Sequence, residues 1–215
     1  MLSRFLEYLP SLLDGAWVTL LVAGSAIAVG FVGALLLHTL HQARLRLVRW
    51  CSRIYLSFFR GTPMLVQLLI LFYIPPALGL DINPYVAAIA ALGMNSAAYQ
   101  AEILRAGFAA VPAGHGEAAS IMGLSPWQNL WHVQVPQVVR YTLPSLISEM
   151  GDIVKGSAII SVITITDLMR VGRQLVSTSY RPIEVFLLVG LVYLVLVTLI
   201  QLAGRHVERK WRAQT

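Results

Sequence analysis

The sequence predicts an all-α, polytopic membrane protein with five transmembrane helices, and three observations lead there. Of its 215 residues 57% are hydrophobic and only 12% charged, and the mean hydropathy of +0.71 lies outside the usual range of soluble domains. Apolar runs of about 20 residues, the length that crosses a bilayer's hydrocarbon core, recur along the chain. The basic residues flank these runs, where orientation in a bilayer requires them. A formal charge of +6 and a pI near 9.8 would otherwise point to nucleic acid, but no nucleic-acid-binding motif accompanies the arginines. With Cys51 as the one cysteine, neither an intrachain disulfide nor a cysteine metal framework can form. His38 and His41, three apart, fit an interfacial helix face better than a metal site.

Met1 to Asp14, with Arg4, Glu7, Pro10 and Asp14, reads as a short amphipathic lead-in at the membrane surface. It does not read as a signal peptide, because the apolar run that follows is too long and its Ala26-Ile27-Ala28 lies inside the run. That run, Gly15 to Leu37, is the first predicted span, and Gly24, Gly30 and Gly33 invite close helix packing. Arg44, Arg46, Arg49, Arg53 and Arg60 follow, with no acid between His38 and Arg60. The positive-inside rule makes this loop cytoplasmic and the N-terminus external. Tyr55 to Leu80 is the second span; Gly61 and Pro63 predict a turn or kink in it, either a plain helix start or a functional hinge. Pro75-Pro76 and Gly79 to Pro84 form an outer turn.

Pro84 to Phe108 is the third span, with its polar content in Asn95 to Glu102 and a Glu102–Arg105 pair near its inner end. Leu143 to Ile165, the fourth, contains Glu149, Asp152 and Lys155. A charge at mid-bilayer costs about 2.5–3.5 kcal/mol on insertion scales, so these groups are expected on a roughly shared face toward a bundle interior, a watery cavity or one another. Either Asp152 and Lys155 neutralise each other, or Glu149 or Asp152 meets the ammonium group of a passing substrate and Lys155 its carboxylate. Thr166 to Glu184 is then external, and its Arg170, Arg173 and Arg181 run against the positive-inside rule. They would contact an acidic partner or lie at the lipid surface. Of 16 Lys and Arg, eleven still fall inside. Ile183 to Ala203 is the fifth, lipid-facing span, and Arg205 to Arg212 ends the chain in the cytoplasm with Trp211 as an interfacial anchor.

The one long polar interruption is Gly114 to Pro136. Glu117 opens a run of helix formers and is expected in a first helical turn, where a carboxylate offsets exposed N–H groups. Gly123 is placed either to end that helix or to let a partner's backbone approach closely, and Ser125 to cap a second helix whose first residue is Pro126. Pro136 and Pro144 punctuate the return to the membrane. The plain alternative is an ordinary connector.

Glu117-Ala118-Ala119, three residues, Gly123, nine residues and Val133-Gln134-Val135-Pro136 resemble the EAA loop of ABC-importer permeases. FRGTPMLVQL from Phe59, NSAAYQAEILRAG from Asn95, and Lys155-Gly156-Ser157 with Asp167-Leu168 are similar to the polar amino-acid uptake permeases of that family. The histidine and basic-amino-acid permeases are also similar at SYRPIE, from Ser179, and at the ERKW ending. The resemblance implies a MetI-like permease fold: one transmembrane domain over 1–215, with a cytoplasmic coupling loop at 110–140. Glu117, Ala118, Ala119, Gly123, Leu124 and Pro136 would couple it to a separate ABC ATPase. It further implies a second permease subunit, identical or homologous, an extracytoplasmic amino-acid-binding protein, and residence in a bacterial cytoplasmic (inner) membrane. The pathway would carry a polar amino acid past Glu149, Asp152, Lys155 and Glu102, with Glu149 and Asp152 suiting a cationic one.

No GxxxxGK[ST] occurs, so no cofactor is expected on this chain, ATP being used by the partner ATPase. No Ser/His/Asp, Cys/His or HExxH arrangement marks an enzyme. Two rivals are a secondary carrier using the intramembrane Glu and Lys, and a membrane-embedded enzyme using Glu149 and Asp152 as a carboxylate pair.

Overall fold

The computed structural model describes residues 2–41 and 43–213, with side chains described for 7–41 and 43–210; Arg4, Trp211 and Arg212 lie outside the described side chains. All regular structure in the described residues is helical. Helix α1 runs without a break over Leu2–His41, through Pro10. The expected lead-in is therefore no separate element. One side of the start of α1 packs on the bundle, Leu12, fully buried, and Ala16 sitting in a cluster with Leu168, Val185 and Val189, while Glu7, Pro10, Ser11, Leu13 and Asp14 are exposed, as an amphipathic stretch requires.

The expected basic loop is itself helical, because α2 occupies Arg46–Gly61 and α3 Met64–Ala77. The second span predicted over Tyr55–Leu80 is thus a helix pair bent by 110° at Thr62-Pro63. Pro63 cannot continue the ladder of α2, and the freed groups are met by side chains. Gln67 Nε2 donates to the Phe59 carbonyl (2.9 Å) and to Thr62 Oγ1 (2.9 Å), while Asn95 Nδ2 donates to the Phe59 carbonyl (3.0 Å) and Gln67 Oε1 (2.9 Å). Gln67 and Asn95 are buried and these bonds fix the bend. Pro75-Pro76 lie within the last turn of α3 and not in the outer turn, which begins after Ala77 and contains Gly79 at φ +79.

Helix α4, Pro84–Ala110, starts at Asn83, whose side chain accepts from the Tyr85 amide, and packs most extensively on α1. The contact depends on missing side chains: a Cβ on Gly30 would lie 2.9 Å from Ser96 Cβ, and one on Gly33 2.9 Å from Ala97 Cβ. Gly24 has nothing within 4 Å and makes no such contact.

The polar stretch forms α5, Ala113–Ile121, and α6, Pro126–Asn129, followed by a π-helical turn, Leu130–Gln134, that leads directly into α7, Val135–Gly156. Pro136 falls at the start of α7, and Pro144 lies inside it; neither interrupts the chain. The fourth span expected over Leu143–Ile165 ends as an α-helix at Gly156 and tightens into a 3₁₀ turn, Ser157–Val162. The carbonyls released there are taken by the next helix, α8, Leu168–Ser179. Arg170 Nη1 donates to the Ile163 carbonyl at 2.6 Å, and Arg173 Nη2 donates to the Ser161 carbonyl. Two of the three arginines that offend the positive-inside rule thus satisfy backbone in an irregular turn, and the third, Arg181, pairs with Glu184 at 2.9 Å. Buried Asp167 caps α8 by accepting from Met169 N (3.2 Å) and Arg170 N (3.1 Å).

Helix α9, Pro182–Ala213, continues past the expected end at Ala203. By length and apolarity, Glu7–His41 and Pro182–Lys210 each suffice to cross a membrane, and the α2–α3 pair counts as a third if taken as one span. At 27 and 22 residues, α4 and α7 are about 40 and 33 Å long, enough to cross, but they carry the buried polar groups. An arrangement of five crossings is compatible with these helices. The main core joins α1, α3, α4, α7 and α9 through Val22, Leu68, Leu92, Ile153 and Val197.

Candidate functional site

The polar loop folds into a small two-helix knob. Gly123 has φ +80, and its amide donates to the Ser120 carbonyl (3.0 Å) while the Leu124 amide donates to the Ala119 carbonyl (3.1 Å). This paired bonding is a Schellman ending, which requires a left-handed residue where Gly123 stands. Ser125 and Gln128 then form a reciprocal capping box, the Ser125 amide donating to Gln128 Oε1 at 2.9 Å and the Gln128 amide to Ser125 Oγ at 3.3 Å. His115 Nδ1 lies 2.8 Å from Gln137 Oε1, tying α5 to the start of α7.

Within the knob, Ala119 is buried, Leu124 and Pro136 are half-buried, and Glu117, Ala118 and Gly123 are exposed. One expectation is corrected. Helix α5 begins at Ala113, four residues earlier than foreseen, so Glu117 lies in its second turn and offsets no N-terminal amides. The sequence reading also missed the apolar surface of the knob. Ile121 is 87% exposed and Met122 81%, and in the segment that follows Trp127 and Trp131, packed edge to face at 5.4 Å, are exposed too. Large apolar side chains flanking a turn in a polar loop were the available clue.

The charged residues of α7 do not share a face as expected. Glu149 is buried, accepting from Ser96 Oγ at 3.0 Å; Ser96 in turn accepts from Gln100 Nε2 at 2.8 Å. Asp152 and Lys155 form a 2.7 Å ion pair and are 63% and 56% exposed. Positions three apart turn about 300° around a helix, so two such steps carry the face well away from Glu149. The pair instead ends an exposed polar stripe at Tyr141, Ser145, Ser148, Asp152 and Lys155, spaced by four and three. Tyr141, Ser145 and Ser148 were not singled out from the sequence, although their helical spacing with Asp152 was visible in it.

The lower part of this stripe opens on Glu102. Tyr141 and Ser145 line a cleft of about 360 Å³ with Arg60, Tyr99 and Glu102. Glu102 is bound by Arg105 Nη2 at 2.8 Å, as the sequence predicted, and lies 3.6 Å from Arg60 Nη1, while the Arg60 guanidinium sits 5.7 Å from the centre of the Tyr99 ring. His41, Arg60, Glu102 and Arg105 also border one larger opening, which places the basic segment after α1 and the end of α4 on the same side of the bundle. Glu102, Asp152 and Lys155 therefore sit along one accessible surface, and Glu149 does not.

Comparison with known proteins returns concordant likenesses. The family model described as binding-protein-dependent transport system inner membrane component matches residues 26–213. The arginine transport system permease protein ArtQ of Bacillus subtilis (strain 168) is 34% identical over 212 residues, covering 98% of this chain and 97% of that one. The putative glutamine transport system permease protein GlnP of Rickettsia prowazekii (strain Madrid E) is 33% identical and covers 98% of each chain. Among solved structures, a chain from the crystal structure of an amino acid ABC transporter with histidines superposes with a TM-score of 0.89 at 31% identity, over 96% of this chain and 97% of that one.

Proposed function

The chain belongs to the family of inner-membrane components of binding-protein-dependent transport systems and is a permease subunit of an amino-acid ABC importer, and from that premise we propose that its loop at 110–140 receives the motion of a separate ATPase. The observation that carries this is the exposed apolar cap of Ile121, Met122, Trp127 and Trp131 on a rigidly terminated knob. Isolated apolar side chains on a surface need no explanation, but four together on a short polar loop fit a docking surface. Glu117 and Ala118 are exposed on α5, where a partner's side chains reach them, while Ala119, Gly123, Leu124 and Pro136 hold the knob's shape. The test replaces Ile121 and Met122 together by Glu and measures co-purification of the ATPase and its stimulation by loaded binding protein. Loss of both with intact membrane insertion is expected; retention of both removes the proposal.

The substrate passes along the stripe from Tyr141 to Lys155, in our reading, with the facing wall supplied by a second permease subunit. Asp152 and Lys155 present opposite charges 2.7 Å apart, matching the ammonium and carboxylate of an amino acid, and Glu102 adds a second acid at the other end. Glu149 is a structural link between α7 and α4. The relatives named for arginine and glutamine share a polar side chain and differ in its charge; Asp152 and Glu102 favour a cationic one where the substrate displaces their Lys155 and Arg105 partners. An extracytoplasmic binding protein delivers it, and the N-terminus is external and the C-terminus cytoplasmic, the orientation that the excess of arginine on one side favours. Uptake measured over a panel of amino acids tests the substrate, and preference for glutamate would contradict it.

A further inference from the structure

We propose that α2 lies in the lipid–water boundary and that Arg46, Arg49 and Arg53 bind the phosphate headgroups of anionic phospholipids. The first support is tethering. Helix α2 follows the long apolar α1 within five residues and joins the apolar α3 through a 110° bend, so both of its ends are tied to apolar helices and it does not form one straight span with α3. The bend is held by the buried bonds of Gln67 and Asn95 described above, so α2 does not continue α3 across the membrane.

The second support is the division of its surface. At 100° per residue the helix shows three faces. One packs inward, with Ser52 and Phe59 buried and Tyr55 Oη donating to the Met94 carbonyl at 2.7 Å. The next is apolar and open, with Leu47 69%, Trp50 58%, Ile54 46% and Phe58 43% exposed. The third carries Arg46, Arg49 and Arg53, and no carboxylate pairs with any of them among the described residues. Water alone would leave the apolar face wetted, and hydrocarbon alone would strand three guanidinium groups. Only the boundary suits both faces at once, with the arginines reaching headgroups and Trp50 at their level.

The third support is shape and charge. Arg46, Leu47, Arg49, Trp50 and Arg53 line an open cleft of about 490 Å³ on this edge. Arg46, Arg53 and Arg49, whose Nη1 also donates to the Ala43 carbonyl at 3.3 Å, are fork-shaped cations with no carboxylate partner among the described residues, and guanidinium groups bind a phosphodiester in a bidentate manner. A run of arginine beside a membrane helix, without intervening acid, selects anionic over zwitterionic lipid.

The chain's single cysteine makes the test possible without a new anchor point. Cys51 is exposed on α2. The full chain, with its partner subunits, is labelled at Cys51 with a fluorophore and placed in nanodiscs containing a fixed fraction of brominated phosphatidylglycerol or brominated phosphatidylcholine. Stronger quenching by the anionic lipid, by twofold or more, is expected. The triple variant Arg46→Gln, Arg49→Gln, Arg53→Gln should lose that difference, and the corresponding triple Lys variant should keep most of it. Equal quenching by both lipids in the unaltered chain, or no quenching by either, overturns the proposal. So does a Gln variant that folds, keeps the anionic preference and loses only its ATPase, because the arginines would then face protein.

Discussion

At the scale of single residues, the decisive positions are those where geometry leaves one choice. Gly123 holds φ +80 at the end of α5 with empty space around it, so a larger side chain meets no clash but does meet backbone strain. Gly123→Val should cost about 1–2 kcal/mol locally and unwind the Schellman ending, leaving insertion intact. Binding-protein-stimulated ATP hydrolysis, measured on the assembled importer, should fall several-fold. The acids of α7 should respond differently from one another. Asp152→Asn removes the charge that faces outward beside Lys155 and should lower uptake of a cationic amino acid by roughly tenfold, equivalent to about 1.4 kcal/mol. Glu149→Gln can still accept from Ser96 Oγ and should leave uptake selectivity unchanged, whereas Glu149→Leu strands the Ser96–Gln100 pair and should lower thermal stability. Equal loss of uptake in Asp152→Asn and Glu149→Gln would contradict the division of roles.

At the scale of elements, close approach and buried polar bonds set the arrangement. Gly30→Val would drive a methyl into Ser96 and part α1 from α4, at an overpacking cost of about 1–3 kcal/mol, while Gly24→Val meets open space. A thermal melt of the two variants in detergent should separate them by several degrees. Gln67→Leu should loosen the α2–α3 bend, because the Phe59 carbonyl and Asn95 lose partners; proteolysis near Thr62-Pro63 should quicken. Local chemistry was readable in advance: Ser125 as a cap with Pro126 behind it, Gly123 as a helix end, Gly30 and Gly33 as contact points, and the Glu102–Arg105 pair are each set by neighbours in sequence. The rest depends on partners far along the chain. Pro63 announces a break, but its 110° angle is held by Asn95, 36 residues from the Phe59 carbonyl it binds. Glu149 reads like its neighbours Asp152 and Lys155 until Ser96, 53 positions away, selects it for the interior. Arg170 and Arg173 looked misplaced by a charge rule that takes no account of the carbonyls a 3₁₀ turn releases.

At the scale of the whole molecule, the chain is an apolar bundle with two surfaces that it leaves unfinished. The stripe from Tyr141 to Lys155 carries charge outward with no covering helix of its own, which makes sense if a second permease subunit completes the pathway. The knob exposes the apolar side chains of Ile121 and Met122, a surface that the proposed ATPase contact would cover. In our reading the two are joined mechanically, the knob moving and the stripe changing access. The most direct test is a cysteine cross-link. In a Cys51→Ser background, Met122→Cys should form a specific cross-link to the ATPase subunit, lost when the two proteins are separated before oxidation. The same cysteine should react with a membrane-impermeant thiol reagent only from the cytoplasmic side, and only when the ATPase is absent. Labelling from the external side, or free labelling with the ATPase fully bound, would contradict the account.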